Sequence, residues 1–492
     1  MRREFVPAAL LAAAAACLTP LSSSAAPTKP QGYSPRPTAP IIRPVVAFPE
    51  SGSFGTARLD WFKPPLVLGE LIVLPPNLPN VERTSGESSL GSEGAGDQPG
   101  TAVLNASDFG VQSNSAADQT RGLQRVIDDA EETGATVYLG AGTYLISRPL
   151  LVRGIELQGA GVATIIRQTS NKNGINLLSG GHLKDIVLRG TGVEVPAHAV
   201  NMGSTTAASV EGCTIEGWGG KGINTGGDST GNLIRGNVIV DNLDEGIFVG
   251  QDSSNNVIQD NLVARNAYNG IDINSAGNTI RGNLIYDNGI RAGVKYRSSS
   301  DRQGLLIVSL TGETTDNNLV EENVFYRNYL HGIEIQSLPK SQNQGNQIMR
   351  NVADANGTSG SGYGDGITID GSAGGAIGAN LLSDNLVRGN QRYGILIDSS
   401  SGDRILKNVV ENNGPAQGGG GIVLRRLTHD AFVSGNSAVT NSGPAIQVLP
   451  GTHDIVVADD NRLGAAAQTA IPPSTPAPDT APAPANLEHK TS

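Results

Sequence analysis

The chain has 492 residues, a formal net charge of −11, 64 glycines and only 4% aromatic residues. That acidic balance excludes nucleic acid as a partner, because phosphate binding needs clustered Lys and Arg. So much glycine with so few rings argues against a conventional layered domain and for short strands separated by many turns.

At the N-terminus, Arg2 and Arg3 precede the apolar run from Phe5 to Leu18, and Ser24-Ala25-Ala26 offers a small-residue cleavage site before Pro27. This is the layout of an export leader over residues 1–26, too short to span a membrane. Cys17 behind Ala14-Ala15-Ala16 also resembles a bacterial lipobox, so a periplasmic or extracellular protein and a lipoprotein both stay open. Cleavage after Ala26 leaves Cys213 alone and rules out an intramolecular disulfide. Its strand-like setting, Val210 to Ile215, marks a buried structural thiol. Residues 27–104 are rich in Pro, Gly and Ser and read as an extended linker. Inside it, Leu66 to Leu74 is apolar and bracketed by proline pairs, so it packs on its own domain or on a partner.

The folded part spans 105–461. Ala117 to Thr133 carries Leu123, Val126, Ile127 and Ala130 at helical spacing, with Asp118 placed to cap the start. Ala135 to Ile146 reads as two strands around a glycine turn. A repeat then takes over: Asn232, Asn237 and Asn242 lead to Gly246-Ile-Phe-Val, and Asn256, Asn261 and Asn266 lead to Gly270-Ile-Asp-Ile. Gly222, Gly246, Gly270 and Gly293 stand 24, 24 and 23 residues apart, with longer intervals afterwards. Three short strands per unit, with inward Ile, Val and Leu and asparagine corners in left-handed backbone, predict an all-β solenoid, a right-handed parallel β-helix. Stacked Asn side chains would bond coil to coil, and the helix would plug the open N-terminal end. Residues 462–492 are Ala- and Pro-rich and read as a disordered tail.

Asp108-Phe109-Gly110, the helix after it and Val137-Tyr138-Leu139-Gly140-Ala141-Gly142-Thr143-Tyr144 resemble the opening segment of the pectate-lyase superfamily, which usually has Pro where Gly140 stands. The Asn/Gly coils are most similar to the catalytic modules of secreted mannuronan C5-epimerases. The resemblance implies a single-stranded, pectin-lyase-like β-helix and a uronate polysaccharide as substrate. Those epimerases carry Tyr-Gly-Phe-Asp-Pro-His. Here the matching segment is Lys221-Gly222-Ile223-Asn224-Thr225-Gly226, or, two coils later, Asn269-Gly270-Ile271-Asp272-Ile273-Asn274. The first lacks the Asp and the His; the second matches only the Asp.

On the Gly-Ile-x-Ile strands, the residues two and four after each glycine should point outward. Read that way, Asp272, Lys295, Arg297 and Glu334 fall on nearby coils, with Asn274, Gln336 and Asp370 beside them. The loops leading into these strands add Tyr268, His331, Tyr363 and Asp365. Removing the C5 proton of a uronate requires a base and a group to neutralise the carboxylate. These expectations make Lys295 the base, Arg297 the neutraliser and His331 or Tyr268 the acid. Asp272 and Glu334 would bind Ca²⁺ or tune Lys295, and Asn274, Gln336, Tyr363 and Asp370 would bind substrate. The partner is then an anionic polysaccharide met by a monomer that does not span a membrane. Lyase or epimerase action stands beside a non-catalytic alternative, a β-helix that binds or guides exopolysaccharide.

Overall fold

The structure, a computed structural model, describes residues 102–289, 302–360, 363–415 and 419–464, together with the backbone of an antiparallel pair, Leu66–Leu68 and Leu71–Val73. The other described strands pair in parallel and build three long sheets of 14, 13 and 12 strands and one short pair, Gln342–Gln344 with Ala376–Gly378. The chain visits the sheets in rotation. One coil runs from Leu233–Arg235 on the first face to Val238–Val240 on the second and Ile247–Val249 on the third, before Val257–Gln259 rejoins the first. Period-two alternation turns Ile234, Ile239 and Ile247 of that coil inward, all at 0% exposure. Burying each such side chain contributes roughly 1.5–3 kcal/mol relative to leaving it in water.

Helix α1, Thr120–Thr133, lies at the N-terminal end and packs on Thr136–Leu139 and Leu150–Val152. Its Leu123, Val126, Ile127 and Ala130 join the same core as Leu139 and Leu157. The helix begins three residues later than its sequence suggests. Asp118 accepts the Thr120 backbone N–H at 2.8 Å and so satisfies a donor that the first turn leaves open. Gly134, at φ 68, closes the other end. Among the described residues, no helix is long and apolar enough to cross a membrane.

Asparagine holds the corners as expected, in three parallel ladders. At the corner between the first two faces, both the backbone N–H and Nδ2 of Asn283 donate to Oδ1 of Asn323 at 2.9 Å, while Nδ2 also reaches the Ile258 carbonyl. Asn323 repeats this toward Asn351, and Asn351 toward Asn385. The left-handed residue is not the ladder asparagine, contrary to expectation. It is the residue just before it, such as Asp260 (φ 56), Glu322 (φ 58) or Arg350 (φ 54). The asparagine must keep its N–H and amide aligned with the next coil, so its predecessor reverses the chain. Cys213 is buried and free; burial pushes its thiol up to about 12, as suits a structural residue.

The strand expected around Gly293 is displaced in sequence. On the third face, Ile271–Ile273 pairs with Leu305–Ser309, which pairs with Ile333–Ser337. The stretch from Arg302 to Asp316 therefore contains a rung, and its anchor is Gly304. A Cβ there would meet the Gly332 carbonyl oxygen at 2.6 Å and Asn328 Nδ2 at 2.7 Å, the same close approach found at Gly246, Gly270 and Gly332. Leu306 takes the place given to Lys295, and Val308 the place given to Arg297. Lys295 and Arg297 themselves lie outside the described residues.

Candidate functional site

Each third-face strand starts at its glycine, and the residue just before that glycine sits at the same point on every coil. From Lys221 onward these positions hold Lys221, Glu245, Asn269, Gln303, His331, Asp365 and Tyr393. Next to them runs the outward column Asn224, Phe248, Asp272, Leu306, Glu334 and Thr368, registered rung to rung. The two columns make a polar edge along the coil.

Asp272 and Glu334 share one column two rungs apart, about 10 Å at the usual strand spacing. Each is 7% exposed, and Leu306, 5% exposed, lies between them. Side-chain amides hold both acids. Asn269 Nδ2 donates to Asp272 Oδ2 at 3.0 Å, and Asn274 Nδ2 to Asp272 Oδ1 at 3.2 Å. Gln303 Nε2 donates to Glu334 Oε2, and the Gln303 backbone N–H binds Asn269 Oδ1, which links the two clusters. Among the described residues, no group of three or more His, Cys, Asp or Glu side chains is gathered to hold a metal ion.

On the C-terminal side, Asp365 is fully buried beneath Arg392, whose Nε and Nη2 reach its two oxygens at 2.8 and 2.5 Å. Burial opposes its charge, but the bonds from Arg392 and the nearby His331 hold it below the usual carboxylate range. His331 Nδ1 accepts the Asp365 backbone N–H at 3.0 Å, so its neutral ring carries the proton on Nε2. Tyr363 is half exposed, with the Arg392 guanidinium 5.1 Å from its ring. Tyr268 is buried on the corner before Gly270. Gln336 and Asp370 sit two residues further along their strands, in mutual register, apart from the acid pair.

Toward the N-terminus stands a cluster the sequence reading passed over. Lys221 Nζ meets Glu245 Oε2 at 2.6 Å and Asp244 Oδ2 at 3.2 Å, and lies 4.6 Å from the Phe248 ring. Burial would lower the ammonium, but Glu245 and Asp244 hold it well above its ordinary range. Burial and the neighbouring Asp244 drive the Glu245 carboxyl far up, while Lys221 keeps Asp244 ionised against its own burial. His198 accepts the Lys221 backbone N–H on Nδ1, and burial with the Lys221 charge pushes it down to about 4. The signal for this cluster was available: Lys221 and Glu245 each stand immediately before a repeat glycine.

A family model described as rhamnogalacturonase A/epimerase, pectate lyase-like, matches residues 103–295, and one for the right-handed beta helix region matches 308–403. No curated protein sequence matches the chain. Among solved structures, the A-module of the mannuronan C-5 epimerase AlgE6 of Azotobacter vinelandii superposes with a TM-score of 0.58 at 17% identity, covering 74% of this chain and 100% of that one. The AlgE4 A-module of the same organism gives 0.54 at 17%, covering 74% and 99%. The catalytic unit of a GH87 alpha-1,3-glucanase from Streptomyces thermodiastaticus gives 0.50 at 18%, covering 75% and 71%. At such identities the structural likeness concerns the fold. Together with the family matches and the three stacked parallel sheets, it identifies the chain as a right-handed parallel β-helix of the pectate-lyase superfamily.

Proposed function

We propose that this protein processes a polysaccharide laid across the third face, with Asp272 and Glu334 as an acid–base pair. One observation carries the reading: two amide-held carboxyls, shielded from solvent, face outward in one column with an apolar side chain between them. Inverting glycoside hydrolysis uses carboxyls roughly 6.5–9.5 Å apart, with room for an attacking water, and side chains rooted about 10 Å apart on one face need to lean together only slightly to reach that range. One would protonate the leaving oxygen and the other would activate the water, with Leu306 as a dry floor. His331, through Nε2, is the neighbouring donor. Lys221 and Arg392 on this edge are already matched by carboxylates, so the edge suits a neutral glycan, or an anionic one bridged by a cation. The proteins of similar fold named above, an epimerase and a glucanase among them, support a carbohydrate-active role. The leader-like N-terminus makes this, in our reading, an exported activity.

A second reading, uronate lyase or C5-epimerase chemistry, keeps Lys295 as base and Arg297 as neutraliser, with Ca²⁺ as an optional companion of Asp272 and Glu334. It is favoured by chain connectivity. A Cβ on Gly289 would lie 2.6 Å from the Arg302 Cβ, so the described residues that flank Lys295 and Arg297 in the chain lie side by side, just ahead of Gln303 and the Leu306 strand.

The deciding experiment incubates residues 27–492 with neutral and uronate polysaccharides, with and without Ca²⁺, and follows reducing ends and proton NMR. New reducing ends without olefinic signals mean hydrolysis. Olefinic signals mean a lyase, and changed anomeric ratios without cleavage mean an epimerase. Binding without any chemical change across the panel would overturn both enzymatic readings in favour of a glycan-guiding protein.

A further inference from the structure

The rungs that lead up to Asp272 differ from those that follow it. Before it, the outward column of the third face holds Asn176, Asn201, Asn224 and Phe248, in register from coil to coil and each half-buried. None is charged, and Lys221 beside them is already matched by Glu245 and Asp244. Asn224 Nδ2 donates to Asn201 Oδ1 at 2.7 Å. Among the described residues, no protein group bonds Nδ2 of Asn201 or Oδ1 of Asn224, so a donor and an acceptor stand side by side, open to a ligand.

Phe248 comes next in the column, directly before Asp272. The Lys221 ammonium lies 4.6 Å from its ring centroid. The coil does not need this ring, because Ile247 and Val249 already supply the inward side chains of that rung. Gly226 adds room. Its backbone is not left-handed, and a Cβ built on it would meet nothing within 4 Å, so neither conformation nor packing requires glycine there. A Cβ on Gly250 would lie 2.9 Å from Phe248 Cε1 and 3.3 Å from Gly226 Cα. The open space over Gly226 therefore adjoins both the ring and Asn224, two residues earlier on the same strand.

We propose that Asn201, Asn224, Phe248 and the space over Gly226 form a subsite for uncharged pyranose units on the N-terminal side of Asp272. The inference rests on the third face being the glycan-processing face, and it narrows the substrate to a neutral polysaccharide. A pyranose has an apolar face of C–H bonds and a rim of hydroxyls. The Phe248 ring takes the first and the open amide groups take the second, the usual division of labour in a binding groove. A uronate here would bring a carboxylate beside an ammonium already held by two carboxyl groups, and its desolvated charge would go unmatched.

The test reads affinity and turnover separately. Calorimetry on the full-length Glu334→Gln protein measures binding with the substrate held intact, using oligosaccharides of glucan, mannan and galactan and of mannuronan and galacturonan. The parent protein, given the same probes, reports turnover as new reducing ends. A neutral oligosaccharide is expected to bind more tightly than either uronate. Phe248→Ala should weaken that binding at least about tenfold, and Phe248→Tyr should retain it. Gly226→Leu should weaken it as much without lowering Tm, because the added side chain enters open space, so a loss there is not unfolding. Unchanged affinity in both Phe248→Ala and Gly226→Leu, tighter binding of a uronate, or no binding of any probe would overturn the subsite, whatever the parent turns over. Loss of binding in both variants, with no turnover by the parent, would support the subsite and end the processing reading instead.

Discussion

Two columns of the same coil follow opposite rules. At the corner between the first and second faces, Asn237, Asn261, Asn283, Asn323, Asn351 and Asn385 repeat one residue coil after coil, each at 0 or 1% exposure. At the edge of the third face, Lys221, Glu245, Asn269, Gln303, His331, Asp365 and Tyr393 occupy one position with no residue repeated. Where a solenoid keeps a residue, the coil requires it. Where it varies polar residues while still enclosing them, the fold no longer explains the choice, and chemistry is the better account. The contrast gains force because both columns sit on the same backbone, with the same glycines and the same rung spacing.

The largest effect expected from breaking the uniform column is on stability. Asn323→Ala strands the backbone N–H of Asn283, takes one acceptor from its Nδ2, and removes the bonds from Asn323 Nδ2 to Asn351 and to the Ile280 carbonyl. Several buried polar groups lose partners at once, at a cost of about 3–5 kcal/mol in urea unfolding. Asn461→Ala, at the half-buried end of the same ladder, should cost only about 1 kcal/mol. Equal losses at the two sites would mean the ladder does not act coil by coil.

The varied column should answer differently. Asp272→Asn and Glu334→Gln are expected to lower the turnover of the polysaccharide identified by the panel by about 10²–10⁴-fold, with the unfolding midpoint nearly unchanged. A pair that lost stability rather than turnover would move Asp272 and Glu334 to the structural side of the comparison. Full activity in both would end their assignment as the acid–base pair. In the lyase or epimerase reading, Lys295→Ala and Arg297→Ala should be silenced instead, and activity retained in both would remove that alternative.

The same contrast explains what could be read without coordinates. The fold was legible because asparagine corners and close-approach glycines are obligatory, and each recurs. Acidic residues on the third face could also be placed, since Asp272 and Glu334 follow their glycines by two. What misled was the interval after Gly270. Gly293-Val-Lys-Tyr imitates the strand motif at nearly the right spacing, so Lys295 and Arg297 were laid in the column. Two physical clues point elsewhere. Each regular coil puts its glycine four residues after the third asparagine, as in Asn242–Gly246, Asn266–Gly270 and Asn328–Gly332, and after Asn288 that place is Ala292. The aliphatic run Leu305 to Val308 then supplies the inward residues that a rung must have. The Lys221–Asp244–Glu245 cluster stayed hidden because its energetics arise only when coils stack.

A pH-dependent effect, smaller than that of Asn323→Ala, sharpens the comparison at its own boundary. The ladder at the start of the first-face strands passes through Asn346 and Asn380 and then meets Asp403, whose Oδ1 takes both donors of Asn380 at 3.0 Å. Asp403 is fully buried, its Oδ2 has no hydrogen-bond partner in the structure, and burial pushes its carboxyl up to about 6. An unfolded aspartate titrates near 3.9, so the raised value means that folding disfavours the charged form. The penalty is therefore complete above about pH 6, where both states are ionised, shrinks as the pH falls through the folded value, and is gone below the unfolded one. Asp403→Asn restores the ladder residue and supplies a neutral amide. It should stabilise the protein by roughly 2–3 kcal/mol at pH 8, with the gain disappearing near pH 4. A pH-independent gain would mean that shape rather than charge sets the difference. A loss at pH 8 would mean that the buried carboxylate is wanted, and would place Asp403 among the residues the coil varies for a reason of its own.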